Sequence, residues 1–379
     1  MNISHHLAGL GHSALTILIY SFSVLGAIIF LVITHELGHF VAARLAGVKC
    51  PEFFVGFGPR IWSARRGETE FGLKWILVGG YVKVLGMNPE EEVSPEDFPH
   101  SYKGVSYGKR FWIIFSGSLV HIILALLTIF FTVWLVGVPF ASRTVSEVEQ
   151  YMEEAGEETP AHVAGLQAGD AILAMNGQSM QDWEEVSGFI ADHPGEKVTL
   201  LVERDGERIE LTAELARRDD GRGYLGISPQ AAYEHYSFLA SFKETGVWFG
   251  RDVAGVFYGI YRIFNLSTLK QLLGIAPPTE DRPQTVVGIS RIAGQFAGLG
   301  IYYFLQFMAF ILVFLAIINL APLPPLDGGH ILVLVWEKVT GREVDMRKLY
   351  PVAVAVLAFF VIMFVLAFRL DITNPISLP

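Results

Sequence analysis

The apolar residues of this chain are gathered into blocks. Ser13 to Thr34, Phe111 to Phe140, Ile292 to Leu326 and Leu349 to Phe368 contain no charged residue. A helix needs about 20 apolar residues to cross a hydrocarbon core, and each block is long enough. Four spanning helices are therefore predicted. The Ile292 block exceeds one crossing, so it is expected to begin with an interfacial helix. The first block lacks the basic start and the small-residue cleavage site of a signal peptide. It runs directly into His35-Glu36-Leu37-Gly38-His39 and reads as a retained helix.

Between the blocks the pattern changes. Ser142 to Pro229 is rich in Glu, Asp and Gly, and its apolar residues alternate. Val198, Leu200 and Val202 lead into Arg204-Asp205-Gly206-Glu207, followed by Ile209 and Leu211, which predicts a hairpin with Asp-Gly at its turn. Ala168 to Gly177 reads as turn, short strand and turn, and Trp183 to Asp192 has helical spacing. A small α/β domain outside the membrane is expected here. A second candidate sheet lies between the first two spans. Phe53 to Trp62 and Thr69 to Leu77 flank Arg65-Arg66-Gly67, and Gly79 to Met87 continues with alternating apolar positions. Glu90 to Pro99 is acidic and proline-containing, hence a solvated loop. Phe238 to Phe264 is amphipathic, interrupted by Lys243, Glu244, Arg251, Asp252 and Arg262, and suits the membrane surface.

Composition supports a polytopic α-helical membrane protein. Hydrophobic residues make up 52% and charged residues 17%, against roughly 25% charged in soluble domains. The net charge of −10 matters less than where the charges fall. No Lys or Arg precedes Arg44, ten lie between the first two blocks, and Lys338, Arg342, Arg347 and Lys348 lie between the last two. Basic loops stay in the cytoplasm. Four helices then place both termini and the acidic domain outside and both basic links inside. No polybasic, aromatic-interleaved stretch points to nucleic acid. Cys50 is the only cysteine, which excludes intramolecular disulfides.

The strongest chemical signal is His35-Glu36-x-x-His39. Residues i and i+4 share a helix face, so both imidazoles can reach one ion, and a glutamate beside them can take a proton from water. Zinc supplies Lewis acidity and acidifies water to a pKa of about 7. Two histidines and a carboxylate are costly at membrane depth unless they have a partner, and a cation provides one. Catalytic zinc sites use three protein ligands. Metzincins take the third from a histidine six residues after the second, but here that residue is Leu45. Another carboxylate in membrane context is Asp327, within Asn319-Leu320-Ala321-Pro322-Leu323-Pro324-Pro325-Leu326-Asp327-Gly328-Gly329-His330. The prolines interrupt the helix there. The topology puts Asp327 at a depth comparable with the His35 motif, although a plain turn aspartate before Gly-Gly is the alternative. His330 is a spare that a complete ligand set does not need.

Together these residues resemble the site-2 protease family of intramembrane metalloproteases. Three features carry the likeness: His35-Glu36-x-x-His39, Asn319-x-x-Pro322 with Leu326-Asp327-Gly328, and the inserted acidic domain. Ala164 to Asp170 and Gly223-Tyr224-Leu225-Gly226-Ile227 resemble a PDZ domain, and Gly79 to Met87 resembles the membrane-associated β-hairpin of the bacterial RseP-type branch. Some relatives carry two PDZ units where one is found here. The resemblance implies one Zn2+ held by His35, His39 and Asp327, with Glu36 as general base and Asn319 on the substrate backbone or oxyanion. It implies a bacterial inner-membrane protein with its active site toward the cytoplasm. Its substrates would be single-span membrane proteins, such as anti-sigma factors or remnant signal peptides.

Relatives often have Gly-Pro-x-x-Asn on the second helix, where this chain has Gly117-Ser118-Leu119-Val120-His121. His121 either replaces that asparagine as a donor or is a satisfied interior histidine, and the second reading is preferred. Substrate must be unwound before cleavage. The edge Gly80, Tyr81, Val82, Lys83, Val84 and Leu85 could hold it by β-addition, or the hairpin could simply pack on the bundle. The PDZ-like domain could bind a carboxyl end near Tyr224, Leu225, Gly226 and Ile227, or exclude bulky substrates. The expected domains are 1–140, with two spans, zinc motif and hairpin; 141–230, PDZ-like; 231–290, amphipathic and interfacial; and 291–379, with two spans and Asp327. A metal or proton transporter is the alternative from another class, disfavoured by the absence of internal repeats. A non-catalytic scaffold is disfavoured by the intact base and ligands.

Overall fold

The computed structural model describes residues 26–88, 91–152, 156–279 and 282–376. The part of the first apolar block before Gly26, Glu90 and both chain ends lie outside the described residues. Helix α1 spans Gly26–Ala46. The helix continues past the histidine motif. Ala42 to Ala46 are good helix formers, and the first breaker is Gly47 at φ +84°.

Strands β1 (Glu52–Arg66) and β2 (Thr69–Lys83) follow. Each bends and is used twice. Phe53 pairs with both Phe71 and Val82, and Phe54 with both Gly72 and Tyr81, while Ala64 pairs back with Phe71. The sheet order is therefore 62–66, 69–73, 52–55, 80–83. The stretch from Gly79, expected as a separate segment, is the second half of β2. Gly56 at φ +89° and Gly79 at φ +112° permit the bends.

Helix α2 (Tyr107–Phe131) continues as a π-helical turn over Thr132–Val136. It packs against three later helices: α5 (Phe238–Ile263), α8 (Ile301–Asn319) and α9 (Asp327–Thr340), the numbers α3 and α4 belonging to the inserted domain and α6 and α7 to the segment after α5. Leu31 of α1, Ala125 of α2, Val256 of α5, and Leu312 and Val313 of α8 form one buried cluster. The amphipathic segment thus seats one face in the bundle rather than lying only along its surface.

After α5 come α6 (Leu266–Leu272) and α7 (Val286–Leu299), with α7 ending at Gly300, where α8 begins. The long third block thus opens within α7, a helix distinct from the span α8. Asp327 is not on the third span. It opens α9, because Pro322, Pro324 and Pro325 end the helical ladder and the chain turns back on itself. The last helix, α10 (Tyr350–Thr373), is mostly exposed and contacts α6 and α7 near its end through Leu272, Ala367 and Leu370. Among the described residues four helices are long and apolar enough to cross a membrane: Gly26–Ala46, Tyr107–Val136, Ile301–Asn319 and Arg347–Thr373.

The second compact unit, Trp134–Ser237, is wider than the acidic stretch that announced it. Strand β3 (Val138–Val148) pairs with β10 (Ile227–Glu234) as far as Val138 with Glu234, and these outer pairs are largely uncharged. Between them lie α3 (Pro160–Ala164), β4 (Ala171–Met175), β5 (Gln178–Ser179), α4 (Trp183–Asp192), β6 (Lys197–Arg204), β7 (Glu207–Glu214), β8 (Ala216–Arg217) and β9 (Gly223–Tyr224). The main sheet order is β10-β3-β4-β6-β7. Asp205 and Gly206 both have positive φ, the conformation a tight two-residue hairpin needs. Asp182 caps α4 by accepting from the Glu185 amide at 2.9 Å. Ile172, Met175, Val186, Val198, Leu200 and Leu225 fill a core of its own.

Candidate metal centre

His35 and His39 lie one turn apart on α1, and Gly38 between them lets α2 come close. A Cβ at Gly38 would stand 2.5 Å from the Ser116 carbonyl oxygen. Asp327 reaches the same point from the first turn of α9. Its two following glycines are required by the turn: a Cβ on Gly328 would meet the Leu320 carbonyl at 2.1 Å, and one on Gly329 the Pro324 nitrogen at 2.6 Å. Residues 320–326 are thus folded tightly over the start of α9, and that fold aims Asp327 at the histidines.

The Nε2 atoms of His35 and His39 are 3.1 Å apart, and each is 3.3 Å from Asp327 Oδ2. Donors at the vertices of a tetrahedron around zinc, with bonds near 2.0–2.1 Å, stand about 3.3 Å apart. Asp327 Oδ2 is buried and has no hydrogen-bond donor. A carboxylate oxygen left this way against two imidazoles has the chemistry of a cation seat. Among the described residues these three form the one cluster of His, Cys, Asp and Glu with donor atoms close enough to hold a metal. The Nδ1 of His39 lies 2.8 Å from the Ile113 carbonyl, which can only accept, so Nδ1 carries the proton and Nε2 is free to ligate.

Gly117 of α2 forms the back wall. A Cβ there would lie 2.4 Å from His39 Nε2 and 2.8 Å from His35 Nε2, in the space the donors face. Glu36 follows His35 on α1, and its carboxylate lies near the Val82 backbone N–H at the sheet edge. Gly80 is also adjacent: a Cβ on it would meet Val32 at 2.8 Å and the Glu36 side chain at 3.4 Å.

A model of Peptidase family M50 matches residues 23–366. The chain belongs to peptidase family M50. The zinc metalloprotease Rip1 of Mycobacterium tuberculosis (strain ATCC 25618 / H37Rv) is 31% identical over 397 residues, covering 93% of this chain and 96% of that protein. The zinc metalloprotease RasP of Geobacillus kaustophilus is 27% identical over 403 residues, covering 86% and 90%. Among solved structures, the PDZ domain of an SdrC-like protein from Listeria innocua is similar at 23% identity and TM-score 0.21, over 25% of this chain and 99% of that one. This M50 chain is an intramembrane zinc metalloprotease.

The remaining expected residues of the M50 chain fall into two groups. Near the cluster, segment 80–83 is an outer edge of the hairpin sheet, and among the described residues no further strand pairs with it. Leu85 and Val84 continue past the strand. Leu85 bonds to the Lys49 carbonyl at 3.0 Å, and Val84 is buried beside Ala43 and Ile113. Asn319 is the last residue of α8 and half-buried. His121 is buried beside the cluster and outside it. His330 lines a separate cavity of about 200 Å³ with Met87, Tyr102, Arg110 and Glu337.

In the inserted domain, Leu225 points into the core and its carbonyl accepts from Ala161 at 2.8 Å. The Gly226 carbonyl accepts from Glu149 at 3.0 Å, while the Tyr224 hydroxyl donates to the Glu149 carboxylate. Ile227 begins β10. Sequence reasoning missed Gly117 as a wall and Val82 as the neighbour of Glu36. Neither has a local signature, since both roles arise where separate elements cross.

Proposed function

We propose that this M50 protease cuts the spanning segments of single-span membrane proteins, using one zinc ion held by His35, His39 and Asp327, with Glu36 as general base. The observation that carries this is the convergence of the three donor atoms, all within 4.8 Å of one another, next to a glutamate that lies against a free sheet edge. When bound, zinc polarises the scissile carbonyl and acidifies the attacking water. Glu36 takes the proton from that water and passes it to the departing amine.

The edge at Gly80 to Lys83 suggests how substrate enters. A spanning helix has its carbonyls already bonded, so the cut segment must be extended. Added to this edge it recovers main-chain hydrogen bonds. In a ladder, alternate amides face outward, and Val82 N–H faces the site. An incoming strand competes for that N–H, which releases the Glu36 carboxylate for its proton-transfer role. Asn319, at the end of α8, is assigned to the substrate backbone or the developing oxyanion.

The inserted domain either filters substrates by size or captures a carboxyl end: at Tyr224 the hydroxyl meets the Glu149 carboxylate and the ring meets the Arg218 guanidinium, 4.2 Å from its centroid, so the charges there offset. Deleting 142–229 is expected to permit cleavage of substrates that keep their bulky outer domains. Unchanged substrate choice after that deletion would remove the filter. The basic links point to the cytoplasmic face of a bacterial inner membrane for the active site.

The deciding experiment is cleavage of a tagged single-span substrate by purified protein, with Glu36→Gln and an added chelator in parallel. Activity should vanish in both while Glu36→Gln still holds one zinc. A Glu36→Gln protein that cleaves as fast as wild type, or a wild type that binds no zinc, defeats the assignment.

A further inference from the structure

We propose that His121 is the positioning residue for His35, accepting a hydrogen bond from its Nδ1–H. The proposal rests on the reading of His35 as a metal ligand. His35 turns Nε2 toward His39 and Asp327, so its proton belongs on Nδ1. A ligating histidine normally gives that second N–H to an acceptor, which fixes the ring and raises its basicity. His39 satisfies the rule through the Ile113 carbonyl. The Nδ1 of His35 is buried with no partner.

The neighbour that can supply one is His121 of α2. Its ring centroid lies 5.1 Å from that of His35, tilted by 41°. Its Nε2 is 3.0 Å from the Leu31 carbonyl. A carbonyl cannot donate, so Nε2 carries the proton and Nδ1 is left as a lone pair. That Nδ1 is likewise buried and unpartnered. Two adjacent imidazoles therefore each leave one nitrogen unused, and the two are of opposite character. The two nitrogens do not meet in the structure as it stands, but at a centroid separation of 5.1 Å a ring rotation that turns them toward each other brings them to about 3 Å, which is hydrogen-bond distance. Leu31 and His35 are one turn apart on α1, so His121 braces two successive turns of the helix that presents the ligands.

The role differs from that of an ordinary satisfied interior histidine, and two amide replacements separate them. Asparagine at 121 can put its carbonyl oxygen where Nδ1 stands. Glutamine can reach the Leu31 carbonyl from where Nε2 stands but leaves the Nδ1 position empty. The full-length protein in detergent is compared as wild type, His121→Asn, His121→Gln and His121→Leu. Zinc affinity is measured by competition with a chromophoric chelator, and the ligand field by the absorption of the Co2+-substituted protein. His121→Asn should stay within about threefold of wild-type affinity with an unchanged Co2+ spectrum, while His121→Gln and His121→Leu lose roughly 10- to 100-fold. Glutamine matching wild type, asparagine losing affinity, or all three behaving alike would overturn the proposal. His35→Ala is the control for the reading beneath it. If that change leaves zinc affinity intact, the ligand assignment fails rather than the role of His121.

Discussion

At the scale of single residues, Gly117 shapes the centre by having nothing to place there. A methyl group on it would crowd both nitrogens that face the metal position, at 2.4 and 2.8 Å. Gly117→Ala is expected to reduce proteolysis by at least about 100-fold, the scale on which an ångström of misplacement acts. Bound zinc, measured by atomic absorption, should fall with it. Full zinc and full activity in that variant would mean that the donors sit elsewhere. The contrast with His35 and His39 shows what a sequence can reveal. Charged and ligating groups in an apolar run stand out because they cost free energy there, and Asp327 stands out for the same reason. Gly117 carries no such mark, because a glycine in a spanning helix has many uses, and His121 stands out in its apolar run without its role being marked. Their meaning depends on which residue of α1 lies opposite.

Among the elements, the bent hairpin was only partly legible. Alternation marked the β-prone stretches correctly, but it cannot say that two strands will each be used twice. That depends on glycines adopting positive φ within the strands, at positions where only the folded register demands it. The edge it creates is testable. Val82→Pro removes an N–H that faces away from the ladder, a place where a strand tolerates proline. It should lower kcat/KM for a single-span substrate about tenfold, the range of one or two lost main-chain hydrogen bonds. Zinc content should stay the same, and unchanged kcat/KM would rule the edge out as a substrate platform.

The inserted domain makes a prediction of its own kind. Asp170 is fully buried and accepts from Arg204 at 2.7 and 2.8 Å and from the Gln167 amide at 2.9 Å. Burial alone would raise its pKa, but these donors outweigh it and hold the carboxyl below its ordinary value. A lowered folded-state pKa contributes stability above the unfolded value of about 3.9, and that contribution is lost as pH falls through the folded value. Arg204→Ala should therefore cost about 3 kcal/mol at pH 7. The deficit should shrink toward zero in strong acid, read by urea unfolding of the excised domain 134–237. A deficit that does not change with pH would show that Arg204 acts through packing instead.

For the molecule as a whole, four charge-free blocks were enough to count the spans, and the basic links suggested an orientation. Hydropathy did not foresee the short α9, which is too polar at its start to register as a span, nor the way α10 is held. Along most of its length α10 is exposed, and its end is fastened by a buried pair. Arg282 bonds to Asp371 at 2.7 Å, and Asp371 also accepts from Thr285 and Gly288 at the start of α7. Breaking a buried pair from one side leaves an uncompensated charge and costs about 3–5 kcal/mol. Asp371→Ala should therefore lower the melting temperature of the detergent-solubilised protein and speed tryptic cutting at Arg291 of α7, whose guanidinium rests on the Asp371 carbonyl. Unaltered melting and digestion would mean that the apolar contacts of Leu272 and Leu370 suffice.

The donors of the candidate centre are widely separated along the chain, with the whole acidic domain between them. A ribosome delivers His35 and His39 to the bilayer well before Asp327. Two imidazoles without the carboxylate fall short of a catalytic zinc set. A nascent chain therefore passes through insertion, hairpin closure and domain folding as an inert protein among other nascent membrane proteins. With those three residues as the ligands, order of synthesis would do here what a removable pro-segment does in secreted proteases: it keeps the blade sheathed until the last donor is made.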